Sequence, residues 1–244
     1  MRYNAGIQYD AKQNGMITRI KYIALNTTLA AALLLASGAH TETIEDGRYW
    51  FTLNANGKLP AENWRWSLDV RPRFRDEGRH FDQLLIVPVF TYQVSQKLSL
   101  GVGFDHVRNH FASRETLTEN RIAPQLVYQF DAIGKLKLQS RTIFEARWRE
   151  DGDDTAYRLR ERLQASYPLN NSLSVIAFDE LMVHLNDTDW NVHRGMDQNR
   201  VFLGIGWKAN QHAVIEAGYL NQFVNTRTID RENHVLSTTL KYNF

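Results

Sequence analysis

The sequence predicts an all-β protein: an antiparallel transmembrane β-barrel of about ten strands, with twelve as the alternative, short periplasmic turns and longer outer loops. Three observations predict it. Long stretches alternate charged and apolar residues, the chain opens with an export-like segment, and its connections alternate in length. The stretch from Lys137 to Tyr167 shows the pattern most clearly. Leu136, Leu138, Ser140, Thr142, Phe144, Ala146 and Trp148 share one parity, and Lys137, Gln139, Arg141, Ile143, Glu145, Arg147 and Arg149 share the other. Successive side chains of a strand point to opposite faces, so one face is apolar or small and the other charged. After an acidic turn the pattern returns, with Arg158, Arg160, Arg162 and Gln164 opposite Leu159, Leu163, Ala165 and Tyr167; Glu161 interrupts the apolar face. Helical spacing would mix arginine with leucine on every face. The pair is a long hairpin.

The N-terminus explains where such strands would go. Met16-Ile-Thr-Arg-Ile-Lys is a basic leader, Ala24–Ala36 is rich in Ala and Leu, and Ser37-Gly38-Ala39 supplies small residues for cleavage. That order is a secretory signal peptide. Residues 1–39 are therefore read as N-terminal extension and signal, 40–62 as a periplasmic or lumenal segment, and 63–244 as the barrel. Without residues 1–39, the 29 basic and 27 acidic residues become 25 and 26, a net charge of −1. The basic pI thus gives no ground for expecting nucleic acid as a partner. The chain has no cysteine, which excludes disulfides and thiolate chemistry. Beyond the leader no apolar run approaches the eighteen or so residues of a membrane helix. An exported chain without such a helix can span a membrane only as a closed barrel.

The strands follow in order. Asn63–Arg75 sets Trp64, Trp66, Leu68, Val70, Pro72 and Phe74 against Arg65, Asp69, Arg71, Arg73 and Arg75. Phe81–Val94 is apolar on both faces, the weakest alternation. Lys97–Val107 sets Leu98, Leu100, Val102 and Phe104 against Ser99, Gly101, Gly103 and Asp105, and Thr118–Phe130 follows with Glu119, Arg121, Gln125 and Gln129 on its polar side. After the central hairpin come Ser172–Leu185, Asn199–Lys208, Gln211–Val224 and a last strand ending on Phe244. A terminal aromatic of this kind is the expected contact for the barrel assembly machinery, and outer-membrane lipid the expected surround. Arg48–Leu59 would be an eleventh strand and is expected at the periplasmic mouth or inside the lumen. Pro72, Pro88 and Pro124 cannot donate to a ladder, so bulges are expected there.

The order of short motifs resembles the DUF2490 family of uncharacterised bacterial outer-membrane barrels. They are Trp50, the Arg-rich first strand, Glu119-x-Arg121, Arg141-x3-Glu145-x-Arg147, Arg158-x-Arg160-x-Arg162, Glu180, Asn199-Arg200 and Gly218-Tyr219. The resemblance covers residues 46–244 and implies fold and location; it brings no catalytic residues.

The charged parity defines the candidate site. Arg71, Arg73, Arg121, Arg141, Arg147, Arg158, Arg160, Arg162 and Arg200 would line the lumen with Glu119, Glu145, Glu180 and Glu216. A ten-strand barrel is little wider than the eight-strand kind, whose interior just fills. Arginine forks pair bidentately with carboxylates, so the wall can knit into a plug, with Glu145 accepting from an arginine of the neighbouring strand. Alternatively, surplus arginine makes a narrow channel that prefers a small anionic solute. A third reading is a hydrolase working from its outer loops. It starts from His193 among Asp187, Asp189 and Asp197, where a metal or acid–base site could form. His184 and Glu180 share a face, but about 13 Å of strand separates them. Neither GxSxG nor HExxH occurs. No cofactor, metal ligand set or catalytic residue is assigned.

Overall fold

A computed structural model describes residues 43–111 and 115–244, and the signal-like segment lies outside them. The described chain contains eleven strands: β1 Thr43–Lys58, β2 Trp64–Arg75, β3 His80–Gln93, β4 Leu98–Asn109, β5 Leu117–Gln129, β6 Lys137–Arg149, β7 Ala156–Pro168, β8 Leu173–His184, β9 Gly195–Lys208, β10 Ala213–Val224 and β11 Asp230–Asn243. Each pairs antiparallel with the next, and β1 pairs parallel with β11 to close the barrel. The stretch expected at the mouth or in the lumen is thus part of the wall, which has eleven strands. An odd meander ends pointing the way it began, so its closing pair must be parallel. Parallel ladders are slightly weaker per residue, but this one runs from Thr43↔Asp230 to Asn56↔Asn243 without a shift.

The parities fall as the alternation predicts. Phe144 and Trp148 of β6 face outward, while Ile143, Glu145 and Arg147 are buried inside. Leu100, Val102 and Phe104 of β4, Ile122, Leu126 and Tyr128 of β5, and Leu203, Ile205 and Trp207 of β9 continue the exposed apolar surface. Glu161 is outward too, and the hydroxyls of its β6 neighbours Ser140 and Thr142 both donate to its carboxylate. The two-sided apolar character of β3 has a simple cause. Leu85, Val87 and Val89 pack inside against Val107 of β4, while Ile86 and Phe90 remain exposed outside. A second inward apolar group, Trp50, Ile176, Phe202, Leu220 and Val235, fills the side formed by β1 and β8–β11.

Pro72, Pro88 and Pro124 all lie within strands on the outward parity. Bulges lie between Arg73 and Phe74, one residue past Pro72, and between Met182 and Val183. At Pro88 and Pro124 the ladder merely skips, and the register is unchanged on either side. Each of those prolines removes a donor without adding a residue. Inside β9 and β10, Gly204 and Gly218 face each other so closely that a Cβ on Gly218 would lie 2.5 Å from the Gly204 Cα.

The connections 59–63, 94–97, 130–136, 169–172 and 209–212 lie at one end, and those that follow β2, β4, β6, β8 and β10 start at the other. The second group holds the longest connection. Its 76–79 turn is tight, with Asp76, Glu77 and Gly78 at positive φ and the Glu77 N–H donating 2.6 Å to the Gly47 carbonyl of β1.

Candidate functional site

Inward charges on β4–β9 form one continuous network. In β5, Glu119 and Arg121 are two residues apart and so share a face. The Glu119 carboxylate accepts from Arg121 Nε at 2.6 Å and from Arg147 Nε at 2.7 Å. Register makes Arg121 and Arg147 cross-strand partners, so Glu119 neutralises a pair that would otherwise repel. Glu145, opposite Arg158, accepts from Arg158 Nε at 2.6 Å and from Arg160 Nη1 at 2.7 Å. Arg160 reaches on with Nη2 to Glu180 at 2.8 Å, and Arg162 donates to the other Glu180 oxygen at 3.0 Å. Arg141 and Arg200 stand farther from Glu180, at 3.4 and 3.7 Å. Glu145 is 0 % exposed and Glu180 1 %. Carboxylates so cut off from water are tolerable only because each is held by two or more guanidinium groups.

The other inward charges stand apart from this network. Arg71 pairs with Asp69 of its own strand. Arg73 donates to Gln83 at 2.7 Å and lies 4.0 Å over the Trp50 ring. Glu216 pairs with Lys241 at 2.6 Å, near the end of the short connections. Several partners lie outside the charge set expected to line the lumen, and Asp197, expected beside His193 in an outer loop, belongs to β9 and faces inward instead. Asp197 accepts from Arg158 at 2.6 Å and faces His184 at 3.4 Å; the alternation before Asn199 was too irregular to place it in a strand. Asp69 and Asp105 were legible on the charged parity, and Asp105 stands 3.8 Å from Arg121.

Two cavities, of about 400 and 450 Å³, lie in the interior. The first is lined by residues toward the longer loops, such as Asn109, Arg149 and Arg231; the second by residues toward the other end, such as Ser67, Gln139 and Lys241. Trp50, Arg71, Arg73, Asp105, Arg160 and Arg200 line both.

The loop histidine has a different setting. His193 lies 3.5 Å from Asp187 and 3.2 Å from Asn191. Among the described residues no cluster of three or more His, Cys, Asp or Glu could hold a metal ion. Asp189 braces this loop against its neighbour, accepting from the backbone N–H groups of Asp153 at 2.9 Å and Asp154 at 3.2 Å. Those donors hold the Asp189 carboxyl below its usual value. A depressed carboxyl stabilises its fold above the unfolded value, near ~3.9, and loses that contribution as pH falls through the lower folded value. Proteolysis of the 185–194 loop should therefore be unchanged from pH 7 to 5 and accelerate only in stronger acid. Asp189→Ala should cleave quickly throughout.

A closed eleven-strand barrel, antiparallel except at its β1–β11 closure, with an arginine–carboxylate interior is the class these features define. The profile described as "Protein of unknown function (DUF2490)" matches residues 47–233. An uncharacterized protein of Methylorubrum extorquens is 32% identical over 218 residues, covering 87% of this chain and 95% of its own length. The chain belongs to the DUF2490 family.

Proposed function

We propose that the protein spans an outer membrane after export and conducts small anions through a narrow, arginine-lined interior. The shared lining of the two cavities carries this reading: six residues line both, and four of the six are arginines. The membrane assignment is supported by strands of 12–16 residues, beyond the roughly 9–11 a bilayer needs, and by their exposed apolar faces. Aromatic side chains at strand ends, including Trp64, Tyr92, Tyr128 and Tyr167, suit interfacial girdles. Phe244, 75 % exposed, would be available to the assembly machinery. Surplus arginine along the path favours anions.

In planar bilayers under a salt gradient, the wild type should pass current with a reversal potential on the anion side. Arg73→Glu should move that potential toward cations. An electrically silent wild type would overturn the channel. A plugged structural barrel would then be the reading, supported by the exclusion of Glu145 and Glu180 from water.

A further inference from the structure

The network on β4–β9 gives each of its buried glutamates two or more guanidinium groups, although Arg141, Arg160 and Arg162 keep an Nε without an acceptor; the cluster where the cavities meet is richer still in cations. Trp50 and Arg73 are cross-strand partners on β1 and β2. The Arg73 guanidinium lies 4.0 Å over the Trp50 ring and that of Arg200 lies 5.1 Å from it, so two cations share one indole. Two carboxylates stand near them: Asp105 lines both cavities and lies 3.8 Å from Arg121, and Asp69 is held by Arg71. Arg73 has the neutral Gln83 as its hydrogen-bonded side chain, and Arg71, Arg160 and Arg200 line the same two cavities with it. Arg200 donates to Gln198 at 2.9 Å and stands 3.7 Å from Glu180, whose oxygens already accept from Arg160 and Arg162. Two N–H donors here are buried without an acceptor, Trp50 Nε1 and Arg200 Nε, on side chains 7 % and 9 % exposed.

Several guanidinium groups and an excess of positive charge lining enclosed space are the complement of an oxyanion. We propose that Trp50, Arg73 and Arg200, with Arg71 at the edge, form a binding site for a small doubly charged oxyanion of the phosphate or dicarboxylate kind. Its oxygens would accept from the guanidinium forks, whose planar geometry matches such groups bidentately. A bound dianion would also relieve the repulsion between Arg73 and Arg200, which chloride can do for one charge only. The site shares its arginines with the channel reading but does not require conduction.

Isothermal titration of the folded full-length protein in neutral detergent at low salt tests this, with inorganic phosphate, succinate and chloride as probes. Saturable binding of phosphate or succinate is expected, at least about tenfold tighter than chloride, which corresponds to ~1.4 kcal/mol. Preference between the first two identifies the oxyanion class. Arg73→Gln should weaken binding about tenfold or more, given the strength of charge-assisted hydrogen bonds. Arg79→Gln, at an exposed turn, should leave it unchanged. Absence of saturable binding to the wild type, or equal affinity in Arg73→Gln, overturns the site. If Arg73→Gln fails to fold, Trp50→Phe and Arg200→Lys carry the test, and unchanged affinity in both overturns the site. Binding by a silent barrel would keep the site and remove the channel; conduction without binding would do the reverse.

Discussion

Glu145→Ala is expected to destabilise the barrel by about 3–5 kcal/mol, the usual cost of removing one partner from a buried ion pair. Glu145 is wholly excluded from water and accepts from Arg158 at 2.6 Å and Arg160 at 2.7 Å. Its loss leaves Arg158 with Asp197 and Arg160 with Glu180, each guanidinium short of one acceptor on a side chain only 4 % and 7 % exposed. Urea unfolding followed by heat-modifiable gel mobility measures the loss, and planar-bilayer recordings on the same preparation give the second coordinate. Because Glu145 is buried whether or not the interior conducts, lower stability is expected in both cases. Anion current in the wild type, kept by the folded variant, is the outcome for the channel, and silence before and after is the outcome for a plugged interior. A stable variant that stays silent would contradict both.

Phe144→Lys tests the outward face and is expected to cost about 2–4 kcal/mol in lipid, the range for a lysine near the bilayer midplane. Phe144 is 38 % exposed and stacks on Tyr157 of β7 at 5.8 Å, so little of the barrel screens it. Leu138→Lys shares its parity and should also be costly. Gln139→Lys, on the inward parity and lining a cavity, should cost much less. Refolding into lipid vesicles with urea titration reads all three. Equal costs for the two parities would mean that the apolar face does not meet lipid.

The barrel and the facing of its strands were legible because both follow from a local rule. A strand alternates its side chains whatever its neighbours are, so Arg141, Glu145 and Arg147 share a face as soon as β6 is a strand. The inward position of the candidate charges needed nothing more, nor did a carboxylate–arginine partnership across the β6–β7 hairpin. Pairing beyond adjacent strands was another matter. Whether Arg48–Leu59 joins the wall depends on the edge left open by β2 and β11, which lie at opposite ends of the barrel sequence; no periodicity within the segment records that. The same holds for Trp50, whose meeting with Arg73 and Arg200 needs β1 closed onto β2 and the curvature that brings β9 across the interior. Asp197 found Arg158 and His184 through the register of β8 on β9, including its bulge at Met182. Alternation determined which residues face inward; closure of the barrel decided which of them meet, because contact across the interior is set by strand order and register, not by spacing along the chain.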